Sequence, residues 1–583
     1  MCIRTLGRFR VKQRQKTASD PHRVLRFARD HWQLLVVVGI MGGAFALRMY
    51  YLSKHTEYTA DSYYFLILAR SIRDTFTYAV RGVTHTKYLP GYPGAIWLGS
   101  YLVGGLERSA NLIAVLGGTF TVLVTYGLGR ELFDKWVGVV AAFIVAFQPT
   151  FLKWTTLPMT EGLFTFLFAG GIYLLLTGCK RASPARRTLG AVAGGLCFLT
   201  RWEGILFLPL MVLILLLYMK GAKLRYWEPL VMLLAFGLPI GAYITRNLIS
   251  TGKVTSYVGE YREYSTKVTF AVLKHRAKVY GWNGMSDAAF SALFYVAAAW
   301  CLVRRRYKQF LIVAGWFGLF LGFHLFWYYA YERFMAPAVP AVALMMGFLF
   351  VDLSTGARTL FASDGWVSRK VGWRIAGRPA MRGAHTGSEE SHTTSGGDVD
   401  LETSDGSHGT ATKLLLGARV LCYCALAAAL ITVVVHGALR ADTVIMNDAK
   451  AFADDHGGQG MKQAATWLNT NAPGRLIASD AGPFINWLYY PGDVLYLRSV
   501  PWDLPVEDRD VSWDKTPTQL YQRGVRYIVI GQTEKGVEDE LVVFGIVGDY
   551  RKQVREVATW VNHYDFPEPH DLTTTVFEVL PPD

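Results

Sequence analysis

Apolar residues in this chain come in long blocks separated by short polar clusters. Blocks of roughly 20 residues have the length of a helix that crosses a bilayer. The first is Leu34–Leu52. Others follow at Ala110–Leu132, Val137–Leu152, Gly162–Thr177, Thr188–Thr200, Ile205–Met219, Pro229–Thr245, Ala288–Val303, Phe310–Tyr328, Pro337–Val351 and Leu414–Val435. The pattern predicts an α-helical polytopic membrane protein with about 11 transmembrane helices. Between Ser53 and Arg108 the pattern changes. From Asp61, the residues Phe65, Leu68, Ala69, Ile72 and Phe76 fall at helical spacing, while Arg70, Arg73 and Asp74 fill other positions. That is the pattern of a helix lying on a membrane surface. The segment Tyr92–Leu106 is apolar but short, Gly-rich and led by Pro-Gly-Tyr-Pro. It reads as a second interfacial or re-entrant helix, with a full crossing as the alternative.

Beyond the last block, residues 440–583 are soluble in character. Helical runs (Met461–Asn471, Pro483–Tyr490, Pro517–Arg523) alternate with strand-like runs (Leu476–Ala478, Val494–Leu497, Val525–Ile530, Thr573–Val579). They predict a small C-terminal α/β domain. Residues 353–412 end in a Ser/Gly/Thr/His/Asp-rich tract that cannot bury a core, and read as a disordered linker. The organisation expected is a basic N-terminus (1–33), a membrane module (34–352) with an outer loop at 53–108, the linker, a last span (413–438) and the soluble domain.

Charge orients the spans. Residues 1–33 carry nine Lys/Arg against two Asp, which places them in the cytoplasm. The alternation then puts the 353–412 linker inside and residues 440–583 outside, in a plasma membrane or, alternatively, the endoplasmic reticulum. Loop 247–287 departs from the positive-inside rule, because it is basic yet should lie outside. Either the count slips there, or the charge faces an anionic substrate; the position of Arg304-Arg-Arg306 favours the second. Of 583 residues, 52% are hydrophobic, too many for a soluble chain of this length. The net charge of +15 sits in clusters between spans and is not a nucleic-acid signal. Cys2, Cys179, Cys197, Cys301, Cys422 and Cys424 have neither disulfide-framework nor metal-ligand spacing.

On this topology Asp61, Lys87, Glu161, Arg201, Glu203, Arg246, Glu332 and Arg333 all lie at the outer ends of spans. Each alone is commonly an interfacial anchor, a helix cap or a helix-start acid. Together they offer carboxylates that act as bases and cations that hold a phosphate. Such a set suits glycosyl transfer from a polyprenyl-phosphate sugar: a carboxylate takes the acceptor proton, and Arg or Lys neutralises the departing lipid phosphate. Tyr63, Tyr88, Glu203 and Glu332 are further candidates for acceptor contact. Asp61, Glu161 and His85 could share a divalent ion such as Mg²⁺ or Mn²⁺, although their spacing does not require one.

The order of these motifs resembles the GT-C superfamily of membrane glycosyltransferases, in particular the dolichyl-phosphate-mannose protein mannosyltransferases and the lipid A aminoarabinose transferase. The resemblance covers roughly residues 34–350. It is carried by the acidic residue opening the first-loop helix, Lys87-Tyr-Leu-Pro-Gly-Tyr-Pro, Thr-Glu161-Gly-Leu-Phe, Leu-Thr-Arg201-Trp-Glu203-Gly and Glu332-Arg333-Phe-Met-Ala-Pro. It implies that Asp61 is the catalytic base and Glu161 a second acid. It also implies that Lys87, Arg201 and Arg333 contact the donor phosphate, and Arg246 is a further candidate for that role. Two departures bear on the acceptor. The protein mannosyltransferases have Asp-Glu where this chain has Asp61-Ser62, and the oligosaccharyltransferase catalytic subunit has Trp-Trp-Asp-Tyr-Gly where this chain has Ala-Ser-Asp480-Ala-Gly. Both weigh against a protein acceptor and leave a glycan or lipid hydroxyl in view. A second class, a transporter or flippase of lipid-linked sugars, calls for ionisable groups in mid-span, where His324 is the nearest case.

Overall fold

The computed structural model describes residues 21–54, 58–80, 82–222, 225–256, 269–283, 288–327, 331–360, 428, 458–479, 489–490, 492, 494–496, 516–533, 552–564 and 570–582. The expected last span at Leu414–Val435 (Ala428 apart), linker residues 361–412, residues 483–488 and Asp480 lie outside the described residues.

Six described helices are long and apolar enough to cross a membrane. They are Trp32–Lys54 within α1 (Pro21–Lys54), α4 (Leu106–Leu132), α7 (Thr160–Lys180), α10 (Glu228–Thr251), α13 (Tyr307–Leu325), and Glu332–Gly356, which runs through a 3-10 turn (Glu332–Ala338) into α14 (Val339–Leu360). Between them stand α5 (Lys135–Phe147), α8 (Pro184–Thr200), α9 (Phe207–Ala222, entered through a 3-10 turn at Trp202–Leu206) and α12 (Ala288–Val303). These helices occupy the positions of the first ten apolar blocks. α14 continues to Leu360, so residues 353–360 of the expected linker are helical.

Tight backbone approach fixes the centre of the bundle. A Cβ on Gly117 of α4 would stand 2.5 Å from the Gly162 carbonyl carbon, and one on Gly162 of α7 would stand 2.4 Å from the Ala114 oxygen. Small residues of this kind let two membrane helices meet backbone to backbone. The contact seats Glu161, one residue away, against α4.

The third predicted span is two helices. Pro149 lacks an N–H and cannot continue a helix from its interior. α5 therefore stops at Phe147, and α6 (Pro149–Trp154) starts afresh, capped by Gln148 Oε1 accepting from Phe151 N at 2.6 Å. Arg48, fully buried in α1, serves the break: it donates to Thr155 Oγ1 at 2.8 Å and to the Ala146 carbonyl at 3.4 Å.

The first loop folds as α2 (Ala60–Thr75), a short hairpin of β1 (Ala79–Val80) and β2 (Val83–Thr84), and α3 (Gly91–Val103). α2 differs from expectation. Tyr63 to Ala69 are all buried, so this half of the helix does not lie on a membrane surface. The reason is the sequence itself. The positions between the helically spaced apolar residues are Tyr63, Tyr64, Leu66 and Ile67, and a helix apolar all round is buried all round. It shares one buried cluster with Tyr92, Ile96 and Trp154 and with Met461, Ala464 and Leu468 of α15 (Gly458–Asn471), the helix that packs on the C-terminal sheet. The buried cluster thus runs from α2 into the C-terminal domain. Its sheet runs β4 (Val494–Tyr496), β3 (Ile477–Ser479), β5 (Tyr527–Thr533), β7 (His570–Val579), β6 (Val554–Tyr564). The first three strands are parallel, and β7 and β6 are antiparallel. α16 (Pro517–Gln522) precedes β5. The expected α/β domain is present, with β6 as a strand the periodicity did not single out.

In loop 247–287, α11 (Phe270–Lys278) runs into a π-helical turn at Val279–Asn283. There Arg276 is buried and donates to the Leu325 carbonyl at 3.1 Å, so this cation caps α13.

Candidate functional site

Asp61 stands in the first turn of α2, and the cap is Thr59, whose Oγ1 accepts from Ser62 N at 3.2 Å. Asp61 is therefore not the cap and is available for tertiary contacts. Its Oδ2 accepts from Arg333 Nη2 at 2.6 Å, and its Oδ1 from the Tyr88 hydroxyl at 2.5 Å. The Arg333 guanidinium lies 5.6 Å from the centroid of Trp154 and 5.3 Å from that of Phe334. Aromatic faces favour a cation there. Burial pushes the Asp61 carboxyl up. The Arg333 charge, the hydrogen bonds from Tyr88 and Arg333 and the Lys87 charge outweigh it, and the group lies below the ordinary aspartate value.

Lys87 lies on the loop after β2, its Nζ 5.6 Å from the Tyr88 ring centroid. The backbone of this loop is held from several sides. Trp202 Nε1 donates to the Lys87 carbonyl at 3.1 Å, and Thr255 Oγ1 to the Thr86 carbonyl at 2.9 Å. Arg246, a candidate phosphate ligand by sequence, donates to the His85 carbonyl and the Tyr78 carbonyl, each at 2.9 Å. Its place is behind the loop, as a support for Lys87 and Tyr88. His85 stacks on Tyr88 with 5.5 Å between centroids, and its Nε2 accepts from Tyr88 N at 3.1 Å.

A second group adjoins the first. Glu161 is completely buried at the start of α7, where the helix dipole favours an acid. Arg201, just past α8, bridges it to Glu203, with both N–O distances 2.6 Å. The guanidinium of Arg201 lies 5.6 Å from the Phe334 centroid, so the same ring serves both arginines. His324 stacks on that ring at 4.9 Å, and its Nε2 is 3.7 Å from Glu203. Glu332 faces the buried Lys153 at 3.8 Å, and Lys153 lies 4.7 Å from the Trp154 centroid. Tyr63 is buried against Tyr58, with 5.8 Å between the ring centroids.

A family model described as dolichyl-phosphate-mannose-protein mannosyltransferase matches residues 84–242. No curated protein matches the sequence. Among solved structures, the chain is similar to ArnT from Cupriavidus metallidurans in the apo state, with a TM-score of 0.53 and 13% identity over 94% of this chain and 98% of that one. ArnT bound to undecaprenyl phosphate gives a TM-score of 0.50 and 13% identity over 93% and 98% of the two chains. The archaeal oligosaccharyltransferase AglB from Archaeoglobus fulgidus, in complex with an inhibitory peptide and a dolichol-phosphate, gives 0.51 and 12% identity over 92% and 74%. The chain has the GT-C fold.

Within this GT-C fold, the end of the bundle under the C-terminal domain brings together Asp61, Lys87, Tyr88, Glu161, Arg201, Glu203, Glu332 and Arg333. Arg246 and His85 support the loop. Sequence reasoning passed over Lys153 and weighed His324 only as a mid-span ionisable group. The signal for Lys153 was a lysine beside a tryptophan between two spans, in the same stretch as Glu161. The residues do not fit the shared divalent ion. Among the described residues no three His, Cys, Asp or Glu side chains gather closely enough to hold a metal. Asp61 and Glu161 each face an arginine, and His85 Nε2 is engaged with the backbone.

Proposed function

We propose that the chain is an inverting membrane glycosyltransferase. It moves a monosaccharide from a polyprenyl-phosphate donor to a hydroxyl of a glycan, lipid or protein acceptor at the extracytoplasmic face, below the C-terminal domain. The observation that carries this reading is the Asp61–Arg333 pair. A carboxylate and a guanidinium from opposite ends of the membrane module meet at 2.6 Å, with Lys87 beside them. The solved relatives support it, since ArnT was captured with undecaprenyl phosphate and AglB with a dolichol-phosphate.

The chemistry follows from the donor set. Asp61 accepts the proton of the acceptor hydroxyl as that oxygen bonds to the anomeric carbon. The bond from that carbon to the phosphate oxygen breaks, and polyprenyl phosphate leaves with the electron pair. A single displacement inverts the anomeric centre. Arg333 and Lys87 neutralise the departing oxygens. Arg333 has capacity for this, because its Nε makes no hydrogen bond among the described residues. As the phosphate draws on Arg333, the carboxylate loses part of its counter-charge and becomes the stronger base. Glu161, Arg201 and Glu203 hold the turn beside Phe334 and so the position of Arg333.

The test is transfer of radiolabelled sugar from a panel of polyprenyl-phosphate monosaccharides in membranes bearing wild type or Asp61→Asn. Transfer by the wild type that disappears in the variant at equal expression is the expected result. Equal transfer by both removes Asp61 from the chemistry, and no transfer from any donor sinks the reading.

A further inference from the structure

A cavity of about 460 Å³ lies between the C-terminal half of α2, the start of α4 and the C-terminal domain. This volume is in the range of small-ligand sites. Arg70 and Arg73 of α2, Arg108 of α4, and Lys462 and Tyr489 of the C-terminal domain line it, with Glu107 between them. Glu107 accepts from Lys462 Nζ at 2.7 Å and from the Tyr489 hydroxyl at 2.7 Å. Asp74 lies against Arg73 at 2.8 Å and Arg70 at 3.3 Å. Four cations thus stand against two carboxylates. Burial and the Glu107 carboxylate raise the Tyr489 phenol, which keeps it a donor.

Gly104 and Gly105 also line the cavity. Gly104 closes α3 with φ of 72°, and Gly105 precedes α4 without a side-chain cap. A Cβ at either position would meet nothing within 4 Å, so the start of α4 is open on this side. The first amides of a helix and nearby arginines both favour an oxyanion.

The surroundings say where that anion comes from. Two residues before Gly104, Leu102 is 88% exposed, and three residues after Arg73, Phe76 is 79% exposed. Leu98 and Tyr101 are exposed on the same helix, and Trp97 joins the group by edge contacts to Phe76 and Tyr101. An apolar and aromatic patch beside clustered arginines is the composition of a segment seated at a bilayer interface.

We propose that this cavity is a binding site for a lipid-borne phosphate: the headgroup sits among Arg70, Arg73 and Arg108, and the chains run along the exposed face of α3. The site is separate from the Asp61–Arg333 pair. Arg70 is nine residues along α2 from Asp61, about 13 Å at 1.5 Å per residue. It also straddles the junction with the C-terminal domain, so a bound anionic lipid holds that domain over the bundle.

The experiment uses the full chain in nanodiscs of phosphatidylcholine with phosphatidylglycerol, and native mass spectrometry to count retained lipids. Wild type is expected to retain phosphatidylglycerol over phosphatidylcholine, and Arg73→Ala/Arg108→Ala to lose that preference by roughly twenty-five-fold, about fivefold per arginine. Arg73→Lys/Arg108→Lys keeps the charge and retains the lipid, which separates lost binding from lost folding. Asp61→Asn abolishes transfer under the proposed function yet retains the lipid, so the two ideas fail separately. Equal retention of both lipids by the wild type, or unchanged preference in the Ala variant, overturns the proposal. Displacement of the lipid by millimolar inorganic phosphate overturns the lipid as its source.

Discussion

Helix α8 starts at one charge pair and ends at another. Near its start, Arg187 pairs with Glu228 of α10; their side chains are 1% and 4% exposed, and Arg187 Nη1 also donates to the Gly178 carbonyl at 2.9 Å. Just past its end, Arg201 leads to Glu161, Phe334 and the Asp61–Arg333 pair, whose side chains are 21% and 19% exposed. The first pair is closed. It joins α7, α8 and α10, and a ligand has no access to it. The second is open, and more cations surround it than its carboxylate needs. An ion pair by itself therefore says little about function. Access and surplus charge separate a site from a brace.

The largest expected effects fall on opposite properties at the two ends. Asp61→Asn should lower sugar transfer about a thousandfold, within the range for loss of a general base, and leave thermal unfolding in detergent nearly unchanged. Glu228→Ala strands a buried guanidinium and should cost about 3–5 kcal/mol of stability, with transfer per folded molecule unaffected. If Asp61→Asn unfolds as readily as Glu228→Ala, the open pair is a brace as well and the comparison collapses.

A smaller effect sharpens the contrast through pH. The Asp61 carboxyl is depressed in the folded protein. Its contribution to stability is therefore complete above the ordinary aspartate value and is lost as pH falls through the depressed one. The acid limb of kcat/KM for transfer should lie in the same low range. In Arg333→Met, burial acts on Asp61 with only Tyr88 and Lys87 against it. The carboxyl rises, and the acid limb should move to higher pH. A limb that stays in place means that Asp61 does not set it.

The spans were legible because apolar blocks of bilayer length have few other readings. The break at Pro149 was legible in principle, since a proline inside a block is a stop. What hid it was the continuous hydropathy on both sides. The burial of α2 was not legible from its helical spacing alone, because the cluster it joins includes Met461 and Leu468, some four hundred residues away along the chain. Strand β6 mixes Arg555, Glu556, Asn562 and His563 into its alternation, which masks the period of two. At the site, alternating topology was enough to bring Asp61, Glu161, Arg201 and Arg333 to one end. It could not separate an arginine facing the pair from one behind the loop. Arg246 donates to the His85 and Tyr78 carbonyls and Arg333 to the Asp61 carboxylate, and which of these an arginine meets depends on packing.

The smallest predicted effect concerns the junction above the site. Lys462 and Glu107 join the C-terminal domain to α4 at 2.7 Å, but their side chains are 45% and 32% exposed. Water screens such a pair, so a double-mutant cycle on thermal unfolding with Lys462→Met and Glu107→Gln should give a coupling of about 0.2–1 kcal/mol. Apolar burial must then carry most of the docking: one cluster runs from α2 to Met461, Ala464 and Leu468, and Leu468→Ala should cost about 2–5 kcal/mol. A coupling well above that range would mean that the charges hold the domain in place. The end of the bundle under the domain would then be braced in the manner of Arg187 and Glu228, with the open pair enclosed between two closed ones.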